Sequence, residues 1–295
     1  MKVAITGGTG FLGQELALLL RERGDTVYIL TRNPKNRYDI GWLRPGDNPG
    51  KPLEGVDAII NLAGSSINDG RWGKKQQREI YRSRMEATQE VLRIIGTLDK
   101  PPRVLVNASA VGIYPASETA TYTEESTERA NDFLARTVIE WEQLAAKAAL
   151  HGTRTAMARF GVMIGKGDGA LPLMSLPYKL FVGGTVGSGR QWLSWVHVHD
   201  AARAVLFAID SEKIRGPFNV TAPHPSRMRQ FGKELGNALN RPHWLPVPSA
   251  ALKLALGDKS RLVLEGQRVV PALLLREGFE FRFPDLSLAL RDIYS

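Results

Sequence analysis

The chain has 295 residues, 43% hydrophobic and 23% charged, an ordinary globular balance long enough to bury a sizeable core as one large domain or two packed ones. The absence of cysteine excludes disulfides and thiolate metal sites, and no apolar run approaches the ~20 residues of a membrane-spanning helix. The formal charge of +9 is compatible with an anionic cofactor or a basic surface, but no nucleic-acid module accompanies it.

The N-terminus, MKVAITGG, reads as a strand and a turn rather than a signal peptide, so a cytoplasmic protein is expected. Short β-branched runs at Val3–Thr6, Thr26–Thr31, Asp57–Leu62, Arg103–Ala108 and Thr153–Arg159 predict strands buried on both faces. Helical patterns at Phe11–Arg23, Lys74–Gly96 and Ala130–His151 alternate with them. The alternation predicts an α/β fold, a Rossmann-type doubly wound parallel sheet.

Between the first strand and first helix lies ITGGTGFLG, with Gly7, Gly10 and Gly13 spaced for a dinucleotide-binding turn. The first glycine allows the tight turn, the second lets backbone approach a pyrophosphate, and the third lets the helix pack on the strand. The second strand ends in Thr31 and Arg32 with no carboxylate beside them, which favours the 2′-phosphate of NADP over the free ribose hydroxyls of NAD. NLAG, Asn61–Gly64, places small residues where the adenosine side of such a cofactor needs close backbone. The densest basic run, residues 71–84, sets Lys74, Arg78 and Arg82 along one helical face, a pattern open to a solvated face or a phosphate site. Aromatic residues are not interleaved with it as nucleic-acid stacking requires.

From Lys166 the chain turns rich in glycine and proline, then resumes helical patterns at His199–Asp210 and Met228–Leu239, with short helices over Pro246–Tyr294. Two regions are expected. Residues 1–165 form the cofactor-binding domain, its sheet completed by parts of 196–222, and 166–295 form a substrate-side, mostly helical region. Trp195 and Val196 read as core, and Asp200 as the cap of the helix that follows. His197 and His199 are two apart, so on a strand they would share a face, but no third ligand stands nearby and no metal site is expected.

TGGTGFLG, NLAG and NASAVGIY occur in the order found in the extended, or atypical, branch of the short-chain dehydrogenase/reductase superfamily. INLAGSSI, GRW, SRMEAT, VGSGRQWLSWVHVHD and LEGQRVVP…GFEFRFPDL are similar to its epimerase-like subfamily, whose members are often labelled nucleoside-diphosphate-sugar epimerases and sometimes cell-division inhibitors. The resemblance spans nearly the whole chain. It implies NADP contacts from the glycine loop (Gly7, Gly10, Phe11, Leu12 and Gly13), from Thr31 and Arg32, and from Leu62 and Ala63. It also implies contacts from Glu79 and Arg84 on the basic helix and from Met163.

Enzymes of that superfamily use a Ser or Thr at a strand end and a Tyr-x-x-x-Lys on the following helix, the lysine lowering the tyrosine pKa. Ser109 matches the serine, but the helix reading NDFLARTVIEWEQLAAK has no tyrosine. Tyr114 is the nearest substitute, with catalysis, substrate shaping and packing all open to it. Ser109 is open to a site role or a strand-end hydrogen bond. Arg190, Trp192 and His197 lie where related enzymes place substrate-side residues, and an arginine beside aromatic surface suits a sugar nucleotide or another anion. The expected function is an NADP-dependent oxidoreductase or epimerase acting on a small substrate, with a non-catalytic NADP(H) sensor as the alternative. A homodimer stays open; no nucleic-acid or membrane partner is expected.

Overall fold

Strands β1 (Lys2–Thr6), β2 (Thr26–Thr31), β3 (Asp39–Gly41), β4 (Ala58–Asn61) and β5 (Val104–Ala110) carry few polar residues and pair edge to edge. Helices α1 (Phe11–Glu22) and α2 (Lys74–Thr97) cross between them. The computed structural model describes residues 1–68 and 72–295; Gly70 and Arg71 of GRW lie outside the described residues. Chain order continues with β6 (Thr121–Tyr122), α3 (Phe133–Ala145), β7 (Arg154–Phe160), β8 (Val162–Ile164) and α4 (Leu171–Lys179). After β9 (Trp192–Leu193) and β10 (Trp195–His197) come α5 (Val198–Asp210), β11 (Gly216–Val220), β12 (Ser226–Arg227) and α6 (Met228–Leu239). The tail carries α7 (Ser249–Leu256), α8 (Arg261–Leu264), β13 (Arg268–Val269), α9 (Ala272–Arg276) and α10 (Leu286–Tyr294).

Seven strands form one sheet in the order β11–β7–β5–β4–β1–β2–β3, with every pairing parallel. Successive side chains alternate between its faces. Val3, Ile5, Ile60 and Val106 pack with Leu16 and Leu20 of α1 and Val205 of α5. Ala4, Ile59 and Leu105 meet Val91, Ile94 and Ile95 of α2 on the other face. This is the expected doubly wound α/β fold, and a third cluster around Trp195, Phe231 and Leu290 ties α6 and α10 to the segment after β8.

Three local expectations are revised. The helix expected over Ala130–His151 begins at Phe133, where Asp132 caps it by accepting from the Ala135 N–H at 2.9 Å, and tightens into a 3₁₀ turn after Ala145. β5 runs two residues beyond Ala108, because Ser109 and Ala110 pair with Arg159 and Phe160. Asp200 does not cap α5. His197 does, its Nδ1 accepting from the His199 N–H at 3.2 Å, while the buried Asp200 carboxylate accepts from the Arg282 and Phe283 N–H groups and pins the tail.

Candidate active site

At the carboxyl edge of the sheet, the β1–α1 turn lies flush against the end of β4. Gly7 has φ +68°, and a Cβ there would stand 2.9 Å from the Leu62 carbonyl. A Cβ at Gly13 would stand 2.4 Å from Gly7 O, so α1 starts directly on the turn. Among the described residues no side chain makes a capping hydrogen bond at the start of α1. Thr6 Oγ1 accepts from the Leu62 and Ala63 N–H groups at 3.1 Å each, which fixes the neighbouring strand end.

The expected cofactor residues gather around this turn in different ways. Leu12 is buried in the core, so only its backbone faces the helix end. Phe11 packs over the loop after β8; a Cβ at Gly165 would meet its ring at 2.6 Å. Met163 of β8 lies half-buried on the same core cluster. Thr31 is half-buried at the end of β2, with exposed Arg32 beside it. The next acid after them in the chain, Asp39, is committed to its own turn, accepting from the Lys35 and Asn36 N–H groups.

Arg84 lies against Gly64 and over the Trp141 ring, 5.2 Å from its centroid. Its Nη1 donates to the carbonyls of Ser65 (3.1 Å) and Ile80 (2.9 Å), and among the described residues no carboxylate pairs with it. Burial alone pulls its guanidinium down to about 10. A desolvated cation without a counter-charge suits a phosphate. Glu79 accepts from Ser65 Oγ at 3.3 Å and Arg82 Nη2 at 3.0 Å, a carboxylate suited to hydroxyl donors. A glycine cradle that any Cβ would fill, together with this unmatched cation, fits a dinucleotide.

Two polar rows run beneath the edge on the α2/α3 face. In the first, Thr6, Asn61 and Asn107 are register neighbours: Thr6 Oγ1 donates to Asn61 Oδ1 (2.7 Å), and Asn61 Nδ2 donates to Asn107 Oδ1 (2.7 Å). In the second, Ser109, Arg159 and Asn219 are neighbours across β5, β7 and β11. Ser109 Oγ donates to Glu142 Oε1 at 2.5 Å, and Arg159 grips the same carboxylate twice, Nε to Oε1 at 2.8 Å and Nη2 to Oε2 at 2.7 Å. Trp141 anchors this stretch of α3 by donating from Nε1 to Thr88 Oγ1 at 2.8 Å.

Tyr114, the expected substitute for the missing tyrosine, is turned inward. Its side chain is 2% exposed and stacks on Tyr122 at 5.2 Å between centroids. Its oxygen accepts from Arg159 Nη1 at 2.8 Å, and its one proton is shared between Thr123 O (2.9 Å) and Asn219 Oδ1 (3.0 Å). Burial pushes the phenol above its ordinary range although Arg159 pulls it down. The loop after β5 folds Tyr114 into a small core with Val111, Ile113 and Val269, because the tail pairs β13 against β6.

Residues 3–221 match the NAD dependent epimerase/dehydratase family, and residues 247–293 match a domain of unknown function, DUF1731. The chain belongs to the NAD-dependent epimerase/dehydratase family. It is 48% identical over 298 residues to epimerase family protein YfhF of Bacillus subtilis (strain 168), covering 99% of this chain and 98% of that protein. Epimerase family protein SSP1921 of Staphylococcus saprophyticus is 42% identical over 295 residues, 98% of each. The human epimerase family protein SDR39U1, solved with NADPH, superposes with a TM-score of 0.90 at 34% identity, over 100% of this chain and 99% of that one.

Membership of the epimerase/dehydratase family and the NADPH of the human relative support a nicotinamide dinucleotide as the cofactor. Of the residues expected on the substrate side, Arg190 is 75% exposed and pairs with Glu118 at 2.9 Å. Trp192 donates from Nε1 to Glu118 O at 3.0 Å and lies under Arg227 (3.8 Å to the ring centroid) and Arg268 (5.0 Å). These two residues are therefore brought together. His197 is not, being 6% exposed, capping α5 and packing on Phe283 at 4.1 Å.

Burial, aided by His199, holds His197 below its ordinary pKa, while Asp292, Asp200 and Glu15 pull the other way. The unfolded chain therefore takes up the proton first. The contribution of His197 to stability is complete above about pH 6.5 and is lost as pH falls from there through its lower folded value. A His197→Asn variant should show a flatter loss of melting temperature between pH 7.5 and 5.5 than the parent. Parallel curves would remove His197 from the acid response.

Among the described residues no helix is long and apolar enough to cross a membrane, and no cluster of metal-ligating side chains is found.

Proposed function

We propose that the protein is a cytoplasmic NADP-dependent oxidoreductase or epimerase-like enzyme acting on a small substrate at Ser109, with the dinucleotide held by the glycine turn, Thr31, Arg32, Glu79 and Arg84. The observation that carries the reading is the buried Ser109, tied to a half-buried carboxylate at the strand edge that also presents the glycine cradle. When bound, the nicotinamide supplies or accepts the hydride. Ser109 would orient the reacting oxygen, and Arg190 and Trp192 would receive an anionic part of the substrate such as the phosphate of a sugar nucleotide. The substrate-side reading of residues 166–295 rests on the same two residues.

NADP is favoured over NAD because Arg32 stands at the end of β2 while the next acid in the chain, Asp39, is turned into its own loop; the NADPH carried by the human relative agrees. Titration calorimetry tests this. Arg32→Ala should weaken NADPH by about tenfold, the worth of one charge-assisted contact, and leave NADH unchanged. Equal losses for both cofactors would return the preference to NAD.

A second reading, an NADP(H)-binding sensor without turnover, is favoured by the full commitment of the Tyr114 hydroxyl. It requires partner binding that differs between NADP+ and NADPH, and equal capture in both states would reject it.

A further inference from the structure

We propose that Glu142 is a positioning residue that fixes the polarity of the reacting end, so that Ser109 meets its substrate as a hydrogen-bond acceptor and the site is matched to a hydroxyl-bearing substrate with the oxidised, cationic cofactor. The proposal rests on the dinucleotide reading above.

The argument starts from the protons. A guanidinium only donates. Arg159 donates to both oxygens of Glu142, so the carboxylate has only lone pairs to offer Ser109. The single hydroxyl proton of Ser109 therefore goes to Glu142 Oε1, and the 2.5 Å separation is typical of a hydroxyl bonded to a carboxylate. What remains on Ser109 Oγ is acceptor capacity. A carbonyl oxygen brings no proton and finds no donor there, whereas a substrate hydroxyl does.

The charges point the same way. Arg159 is the deeper partner, its side chain 2% exposed against 11% for Glu142. The carboxylate is thus the member of the pair closer to the surface, with the guanidinium behind it between Glu142 and Tyr114. A negative group on the more exposed side of the pair would stabilise an oxidised nicotinamide bound beside it, which carries a positive charge, more than the neutral reduced ring.

The resulting step balances. An oxidised nicotinamide held by the glycine turn would supply the acceptor for the hydrogen that the substrate carbon gives up with its electron pair, as hydride. The hydroxyl proton passes to Ser109 Oγ while the proton of Ser109 passes to Glu142. The carbon–oxygen single bond becomes double, leaving a carbonyl product, the reduced cofactor and a neutral Glu142 carboxylic acid. This supplies a proton acceptor in a chain whose α3 has no tyrosine. For an epimerase it is the first half-reaction, reversed to return the hydride.

The experiment needs no substrate. Dissociation constants for NADP+ and NADPH are measured for the parent, Glu142→Gln and Ser109→Ala, with thermal unfolding as the check on folding. Glu142→Gln should weaken NADP+ relative to NADPH by about tenfold, as expected for losing one charge some way from the ring at intermediate dielectric. Ser109→Ala, which keeps the ion pair, should leave that ratio unchanged. A Glu142→Gln protein that loses both cofactors by the same factor, or neither, would overturn the proposal and leave Glu142 a structural residue. A parent protein that binds neither cofactor would overturn the dinucleotide reading itself. If Glu142→Gln alone does not fold, Glu142→Gln combined with Arg159→Gln removes both charges, and a fall in the ratio in the same direction but smaller, because the neighbouring cation is lost as well, is required.

Discussion

Arg159→Met should lower the free energy of unfolding by about 3–5 kcal/mol, the cost of removing one partner from a buried ion pair. Arg159 is among the largest fully buried side chains, and its three described bonds go to both Glu142 oxygens and to the Tyr114 hydroxyl. Burial alone would lower its pKa, but the bonds to Glu142 and Tyr114 outweigh it and hold the guanidinium above its ordinary value. Methionine matches much of the volume and supplies none of the donors, leaving a buried carboxylate and a buried phenol oxygen without their cation. Urea unfolding followed by tryptophan fluorescence measures the loss. The paired variant, Arg159→Met with Glu142→Leu, should recover most of it, since a buried pair replaced by apolar groups of similar size is often near neutral. A single-variant loss below about 1 kcal/mol would mean that the pair behaves as an exposed one.

The second large effect is expected at the glycine turn, where two substitutions separate folding from ligand approach. A Cβ on Gly13 would lie 2.4 Å from Gly7 O and 2.6 Å from Gly8 Cα, both backbone atoms that no rotamer change can move. Gly13→Ala should therefore destabilise by about 1–3 kcal/mol and, by displacing the turn, weaken NADPH by about 100-fold. At Gly10 the nearest atom to an added Cβ is Gly7 O at 3.3 Å, a tight but tolerable approach. Gly10→Ala should melt within about 2 °C of the parent, a shift well under 1 kcal/mol for a chain of this size, yet weaken NADPH by about tenfold or more. Unchanged NADPH affinity in Gly10→Ala would show that the cofactor does not approach this stretch of backbone.

The parallel sheet and the glycine turn were legible because each is written in contiguous residues: apolar runs of strand length, and glycines at fixed offsets between a strand and a helix. β3 was missed because DIG is three residues long and carries a charge. The reacting end was only half legible, because its partners are distant in sequence. Ser109 is recognisable at a strand end, but Glu142 and Arg159 reach it across 33 residues of chain and from the neighbouring strand. One signal was present: an arginine inside the apolar run TAMARF is costly unless a carboxylate meets it, and α3 supplies an inward-facing glutamate beside Trp141. Tyr114 misled for the opposite reason. Its position after Ser109 suggested the cleft, and only the pairing of β13 with β6, set by residues near the end of the chain, turns it into the core.

The placement of β11 beside β7 has a consequence for how the protein is made. Until residues 216–220 leave the ribosome, β7 is an open edge whose unpaired N–H and carbonyl groups invite pairing with other chains. The same strand delivers Asn219, whose side-chain oxygen accepts from Tyr114. Nascent chains stalled within the glycine- and proline-rich stretch after Lys166 would thus carry a finished nucleotide turn beside an unfinished sheet, the state in which chaperone capture or aggregation is most expected. Completion of the sheet and completion of the polar row are one event in the life of the chain.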